Sequence, residues 1–403
     1  MTTMIPFSEA LEKLLSHAAP IERTKTIPTL YAEGRVLAED IVSPVNVPPA
    51  DNSQMDGYAL RAEDIRGATP ESPVVLPVSQ RIPAGSAGKQ LEPGTCARIF
   101  TGAPIPPGAD SVVQQEIVQA GDATAGFSSP VKPGNFVRRA GCDVPVGSLV
   151  LRKGDRLTPA NLGLAASAGR AYLSVYEPVR VSMFCSGNEL VWPGEPLREG
   201  AIYNSNRYQL RALLHAFGCE VTDVGVVRDT LEETVEAFSR AARSTDVIIT
   251  TGGMSVGEED HVKAAVSQLG RIDMWRLAVK PGKPFAYGEV KGVPFLGLPG
   301  NPVAVFVETL MMVRPFLRIL QGMPPAPNRP IAVRADFDWK AGDREEFIRV
   351  HRNNAGGLDL LPNQNSQVLS SCARADGIVD VPLGKDIRRG EFVDYYPLAE
   401  FLA

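Results

Sequence analysis

Between residues 177 and about 325, short runs of β-formers alternate with amphipathic helical stretches, and no other feature of the chain limits its fold as tightly. The spacing predicts strands over Val179–Phe184, Val221–Val227, Val247–Thr251, Met274–Val279 and Val293–Leu298. Helices fall between them: Asn206–Phe217, ended by Gly218; Leu231–Arg243, opened by a capping box from Thr230 to Glu233; and His261–Leu269. A last helix runs from Pro302 to about Leu320, with Asn301 as N-cap, Pro302 in the first turn and a kink at Pro315. This alternation implies a parallel-rich sheet covered on both faces, a three-layer α/β unit. Ligands of such sheets bind beyond the carboxyl ends of the strands.

The flanks read differently, so the chain is an α/β multidomain protein. Residues 1–45 hold a helix capped by Ser8, with Leu11, Leu14, Leu15 and Ala18 on one face, and an extended arm. Residues 46–145 are a small Pro/Gly-rich β domain. Residues 146–176 carry a helix from Pro159 to Ala168 capped by Thr158 and return to the first region. The tract Gly322–Pro330 is a linker, and residues 331–403 resume short β runs as a terminal barrel-like or sandwich domain. The 34 prolines are scattered among these runs, which marks many turns and strand ends.

Composition excludes several classes. A net charge of −5 is a poor footprint for nucleic acid. No apolar run reaches the ~18 residues of a membrane span, and the first residues lack a signal-peptide pattern. Five scattered cysteines without a C-x-x-C fit reduced thiols in the cytoplasm, not a disulfide framework or a zinc site.

The strand-end loops carry the chemistry. They are Ser186-Gly187-Asn188-Glu189, Arg228-Asp229-Thr230, Thr251-Gly252-Gly253-Met254-Ser255 with Asp260 beyond, Lys280-Pro281-Gly282-Lys283, and Pro299-Gly300-Asn301-Pro302. Thr251-Gly252-Gly253 lets backbone amides approach an anion, and Gly300-Asn301 opens a helix N-terminus. Lys280 and Lys283 bring positive charge. Glu189, Asp229 and Asp260 supply the hard oxygen ligands that Mg2+ prefers beside phosphate. At ~4 Å and an effective dielectric near 20, each like-charge pair costs about 4 kcal/mol. Three clustered acids therefore call for a cation or the two lysines. Any one of these loops alone reads as a turn, a solvated face or a capped helix; five in succession do not.

These loops resemble the molybdopterin-binding domain of molybdenum cofactor biosynthesis proteins. Upstream, Asp51-Asn52-Ser53-Gln54-Met55-Asp56-Gly57-Tyr58-Ala59, Arg98 to Pro104 and Arg138 to Asp143 resemble the longer branch of that group, the molybdopterin molybdenumtransferase and gephyrin E-domain family. The resemblance implies a cytoplasmic enzyme that takes adenylylated molybdopterin and molybdate, hydrolyses the pyrophosphate bond with Mg2+ and releases AMP. It implies that Glu189, Asp229 and Asp260 serve metal and pyrophosphate, and that Lys280 and Lys283 balance charge. Arg349 and Ser366 would contact molybdate. Asp56, Thr101 and Asp143 would close the cleft from the second subunit of a homodimer. Molybdopterin adenylyltransferase and molybdoenzyme-maturation proteins would be its partners; no nucleic acid or membrane is expected.

The sequence departs from the family pattern at Asn188, Cys142 and Ala304, where Asp, Glu and Ser are usual. Two other readings compete. One is the adenylylation step itself, which needs only the α/β unit. The other is a catalytically reduced dimeric scaffold of the same fold.

Overall fold

The computed structural model describes residues 4–254 and 261–402. At its centre is a seven-stranded sheet in the order Met4–Ile5, Gly270–Leu277, Pro284–Val290, Val293–Leu298, Val247–Thr251, Arg180–Ser186, Glu220–Val227. Side chains on Val247–Thr251 alternate between two cores. Val247 and Ile249 join Leu210, Leu214, Val303 and Phe316 on one face, while Ile248 joins Phe238, Val262 and Phe295 on the other. Both faces are thus covered: helices Ser205–Ala216, Pro302–Glu308 and Arg314–Leu320 lie on the first, and Leu231–Ala241 and His261–Leu269 on the second. Phe238 meets Phe184 and Phe295 edge-on, with ring centroids 5.0 and 5.1 Å away.

The sheet is mixed, which the alternation did not foretell. Gly270–Leu277 runs antiparallel to Pro284–Val290, and that strand runs antiparallel to Val293–Leu298. The second turn is Lys291-Gly292, with φ of 51° and 81°. Two successive positive φ values suit the two-residue hairpin whose twist matches its strands. The remaining pairs are parallel.

The last helix differs as well. Pro315 does not simply kink it: a π segment, Thr309–Val313, separates Pro302–Glu308 from Arg314–Leu320. A proline ring clashes with the carbonyl four residues back, here that of Met311, and the widened turn contains that residue. Asn301 stands at the N-cap without a capping side-chain bond. Ser8 is not a cap either, because the first helix spans Phe7–Ser16 and starts after Pro6. Ala10 and Leu14 of that helix pack into the first core of the central sheet. Thr158 and Thr230 do cap, accepting from the amides of Asn161 and Glu233.

In the flanks, Thr24–Pro28 pairs with Tyr172–Tyr176, and Ile41–Val42 with Leu149–Leu151. A second sheet of six strands lies between Gly57 and Phe127. In the C-terminal sheet, Glu345–Arg352 pairs with Gly377–Val381 on one edge and, in parallel, with the two-residue strand Val279–Lys280 on the other. All five cysteines are free thiols. No helix among the described residues is long and apolar enough to cross a membrane.

Candidate active site

The parallel register of the central strands brings their carboxyl ends level. Cys185 pairs with Thr251, and Thr251 with Leu298, so three strand-end loops leave the sheet side by side. Gly252 (φ 85°) crosses so close to the first loop that a Cβ there would lie 2.3 Å from the Ser186 carbonyl oxygen. Its amide is engaged, donating to the Leu298 carbonyl at 3.2 Å. The expected use of that amide as an anion ligand does not hold in this structure. At Gly253 (φ 65°) a Cβ would stand 2.6 Å from a Val262 methyl. The buried Thr251 hydroxyl donates to the Pro299 carbonyl at 2.7 Å. Asn206 ties the same two loops together, its amide donating to Thr251 Oγ1 (3.0 Å) and to the Gly300 carbonyl (2.7 Å). Sequence reading missed Asn206. Gln209, one turn on, holds Pro302 by its carbonyl at 2.9 Å.

Asp229 sits against the first loop. Its amide donates to Asn188 Oδ1 at 3.2 Å, and the Ser186 hydroxyl lies 3.4 Å from Asp229 Oδ1. Glu189 is exposed in that loop, and its carbonyl is anchored by the Ile202 amide at 2.8 Å. Arg207 holds the returning segment in place: it stacks on Trp192 (4.1 Å) and pairs with Asp223 (2.6 Å). Two carboxylates therefore project from adjoining loops. Asp260 and Ser255 lie outside the described residues. Among the described residues, no three acidic, histidine or cysteine side chains are assembled as a metal site.

Lys280 is not free to neutralise those acids here. Its Nζ pairs with Glu346 Oε1 at 2.8 Å, and Glu346 Oε2 accepts from Trp339 Nε1 at 2.6 Å. Glu346 is buried, so it fixes the lysine end and stands as a positioning residue. Glu346→Ala leaves the Trp339 donor and Lys280 without this partner; a loss of about 1–3 kcal/mol is expected in urea unfolding, whereas Glu346→Gln should lose less. Lys283 is exposed at the far end of the same turn. Between the lysines, Gly282 (φ 98°) lies over the buried Glu308, whose Oε1 would be 2.3 Å from a Cβ at that position.

Arg349 is 1% exposed and is not a solvent-facing fork. Its guanidinium donates to Ser371 Oγ (3.2 Å) and to the carbonyls of Phe347 (3.2 Å) and Asn365 (3.5 Å). Gln364 clamps its backbone from both sides, at 2.8 Å each. The hydroxyl brought to Arg349 is thus that of Ser371, not Ser366. Ser366 reaches the α/β loops instead: Asn301 Nδ2 donates to its hydroxyl (3.2 Å), and its carbonyl accepts from the Val303 amide (3.1 Å).

Asp56 accepts from the amide and hydroxyl of Thr101, both at 2.8 Å, and these bonds hold its carboxyl below the usual range. Asp51 binds Arg139 (2.5 Å) and the Ala140 amide (2.8 Å) in the same β region. Asp143 is exposed nearby. Within the single chain, no hydrogen bond or ion pair among the described residues joins Asp56, Thr101 or Asp143 to the strand-end loops.

Three family models cover this chain in succession. The MoeA N-terminal region (domains I and II) matches residues 5–169, a probable molybdopterin-binding domain 182–319, and the MoeA C-terminal region (domain IV) 332–398. A molybdopterin molybdenumtransferase of Haemophilus influenzae is 41% identical over 99% of this chain and 100% of its own length. The chain belongs to the molybdopterin molybdenumtransferase family. A second relative, molybdopterin molybdenumtransferase 2 of Mycobacterium tuberculosis, is 38% identical over 89% of this chain and 91% of its own. A solved molybdopterin biosynthesis MoeA protein from Pyrococcus horikoshii superposes with a TM-score of 0.86 at 30% identity, covering 98% of this chain and all of that one.

For a molybdopterin molybdenumtransferase, the three departures now have surroundings. Asn188 gives Asp229 a neutral acceptor for its amide, where an aspartate would add a second negative charge. Ala304 is buried in the last helix. Cys142 is exposed, its amide donating to the Arg139 carbonyl at 3.2 Å.

Proposed function

We propose that this chain inserts molybdenum into adenylylated molybdopterin, hydrolysing the pyrophosphate bond and releasing AMP. It is an enzyme of molybdenum cofactor biosynthesis, as a member of this family. One observation carries the chemical reading: Asp229, Thr251, Asn301 and Ser366 meet at neighbouring strand-end loops through side-chain and backbone contacts with Ser186, Pro299 and Asn206. A ligand with linked phosphates fits such a row, because hydroxyls and amides can bind its oxygens while carboxylates need a cation to approach them.

The donor set suits Mg2+, which takes one or two carboxylates and completes its shell with water and substrate phosphate. Glu189 and Asp229 would hold it, with Asp260 as the third acid; bound there, it would neutralise phosphate charge. Thr251, Gly253, Gly300 and Pro302 would line the ligand's path. Lys283 binds its anionic end directly, and Lys280 does so once drawn from Glu346. The buried Arg349 acts with Ser371 on an oxyanion such as molybdate, with Ser366 as a neighbouring contact. Asp56, Thr101 and Asp143 act from a second copy in a homodimer, which accounts for their separation from these loops within one chain. The reaction takes place in the cytoplasm, with molybdopterin adenylyltransferase as supplier and maturation proteins as recipients.

The test supplies the purified chain with adenylylated molybdopterin, Mg2+ and molybdate. AMP release that depends on molybdate is expected. Adenylylation of molybdopterin at the expense of ATP would favour the preceding step of the pathway, and neither activity would favour the scaffold.

A further inference from the structure

The segment from Arg98 to Pro104 brings an arginine against the region of Asp56 and Thr101. Arg98 lies in the strand Cys96–Ile99, antiparallel to Gly57–Leu60 and opposite Tyr58. It is half-buried. Its guanidinium rests against two rings, with the central carbon 5.3 Å from the Tyr58 centroid and 4.6 Å from that of Phe100. A second arginine, Arg81, covers Phe100 at 4.5 Å. Planar guanidinium groups stack on aromatic faces, and a stacked fork loses less freedom for each bond it makes.

The bonds of this fork lead to one carboxylate. Arg98 Nη1 donates to the Gly57 carbonyl at 2.8 Å and to the Ile99 carbonyl at 3.3 Å, and Nη2 donates to Gln115 Oε1. The Gln115 amide in turn donates to the Asp56 carbonyl at 2.9 Å. Arg98 therefore holds the Gly57 carbonyl directly and the Asp56 carbonyl through Gln115. Gly57 lies so close to the neighbouring strand Ser111–Gln114 that a Cβ there would collide with the Val113 carbonyl oxygen. The backbone beside Asp56 thus has little room to shift. On the other side, Asp56 Oδ1 accepts from the amide and the hydroxyl of Thr101, three residues beyond Arg98. Both of these bonds fall on Oδ1. No hydrogen bond among the described residues engages Oδ2, which is left to face a ligand. The Arg98 charge also draws the Asp56 carboxyl down, by less than the two Thr101 bonds do.

We propose that Arg98 is a positioning residue for Asp56: it fixes the backbone on which the carboxylate stands and keeps Oδ2 turned to the substrate. The inference rests on the reading that Asp56 takes part in molybdenum insertion. Arg98 acts through Asp56, because its bonded nitrogens serve protein oxygens and its face is stacked on rings.

The test compares Arg98→Gln, Asp56→Asn and the double variant in the full chain. In Arg98→Gln, kcat for molybdate-dependent AMP release should fall about tenfold, the scale of one charge-assisted hydrogen bond, with little change in KM. Arg98→Lys should recover part of the rate, because an ammonium keeps the charge but lacks the fork that reaches Gly57 and Gln115 together. In the Asp56→Asn background, Arg98→Gln should cost nothing further, as expected of two residues that act as one unit. Hydrogen exchange at the Thr101 amide, which is bonded to Asp56, should quicken about tenfold in Arg98→Gln. Gln115→Ala should act in the same direction and stands in if Arg98→Gln does not fold. Wild-type kcat in Arg98→Gln, or a loss that adds in full to that of Asp56→Asn, overturns the inference. Wild-type kcat in Asp56→Asn instead removes Asp56 from the reaction and overturns the reading beneath it. The exchange measurement needs no turnover, so it decides on Arg98 whatever the AMP-release assay gives: unchanged exchange at Thr101 overturns the inference.

Discussion

Asp229→Asn should reduce molybdate-dependent AMP release by about 100-fold or more while leaving the fold intact. The substitution is nearly isosteric. The Asp229 backbone bond to Asn188 does not involve the side chain, and Ser186 keeps a side-chain oxygen to face at the Oδ1 position. Only the negative charge is lost. If that charge holds a cation against substrate phosphate, more Mg2+ should be needed for half-maximal rate, and saturating Mg2+ should restore part of the loss. Thermal unfolding reports the fold, and an Mg2+ titration of the rate reports the role. Full activity in a folded variant would remove Asp229 from the site.

Glu308→Gln should make the protein more stable at pH 8 and leave it nearly unchanged at pH 5. Glu308 lies beneath Gly282, and neither carboxyl oxygen has a hydrogen-bond partner among the described residues. Burial pushes its carboxyl well above the ordinary value. The sign follows from proton linkage. Above the unfolded value near 4.5 the unfolded chain releases this proton while the folded chain keeps it, so stability falls as pH rises toward the folded value. Below the unfolded value the term is flat. Within the window the slope is about 1.4 kcal/mol per pH unit, and glutamine, neutral and of similar shape, removes it. Unfolding midpoints of wild type and variant should therefore diverge as pH rises above 5, until the folded carboxyl itself titrates. Parallel curves would mean that Glu308 finds a partner or water inside the fold.

What the sequence made legible follows from which signals are local. The covered strands, the caps at Thr158 and Thr230 and the loaded loops at the strand ends rest on short-range patterns, and the structure contains them. Arg349 illustrates what was not legible. The strand Glu345–Arg352 is buried along nearly its whole length, with no alternation to separate an inward charge from an outward one. Ser371 lies 22 positions beyond Arg349 and meets it only through the tertiary fold. Asn206 looked like an ordinary first-turn residue, and its bond to the Gly300 carbonyl spans 94 positions. The hairpin at Lys291-Gly292 was visible in principle, because a glycine flanked by β-formers is a turn signal. The helical alternation around it drew the sheet as parallel instead.

The two-residue strand Val279–Lys280 is chemically modest but mechanically placed. Its neighbours in the chain, Gly270–Leu277 and Pro284–Val290, belong to the central sheet, while it is itself stitched to Glu345 and Glu346 of the C-terminal sheet. The C-terminal domain thereby reaches two strand-end loops, one through this strand and one through Ser366, which accepts from Asn301. The backbone and the ammonium group of Lys280 are thus both fixed by one strand of the C-terminal sheet, so the placement of this lysine depends on how that sheet is seated.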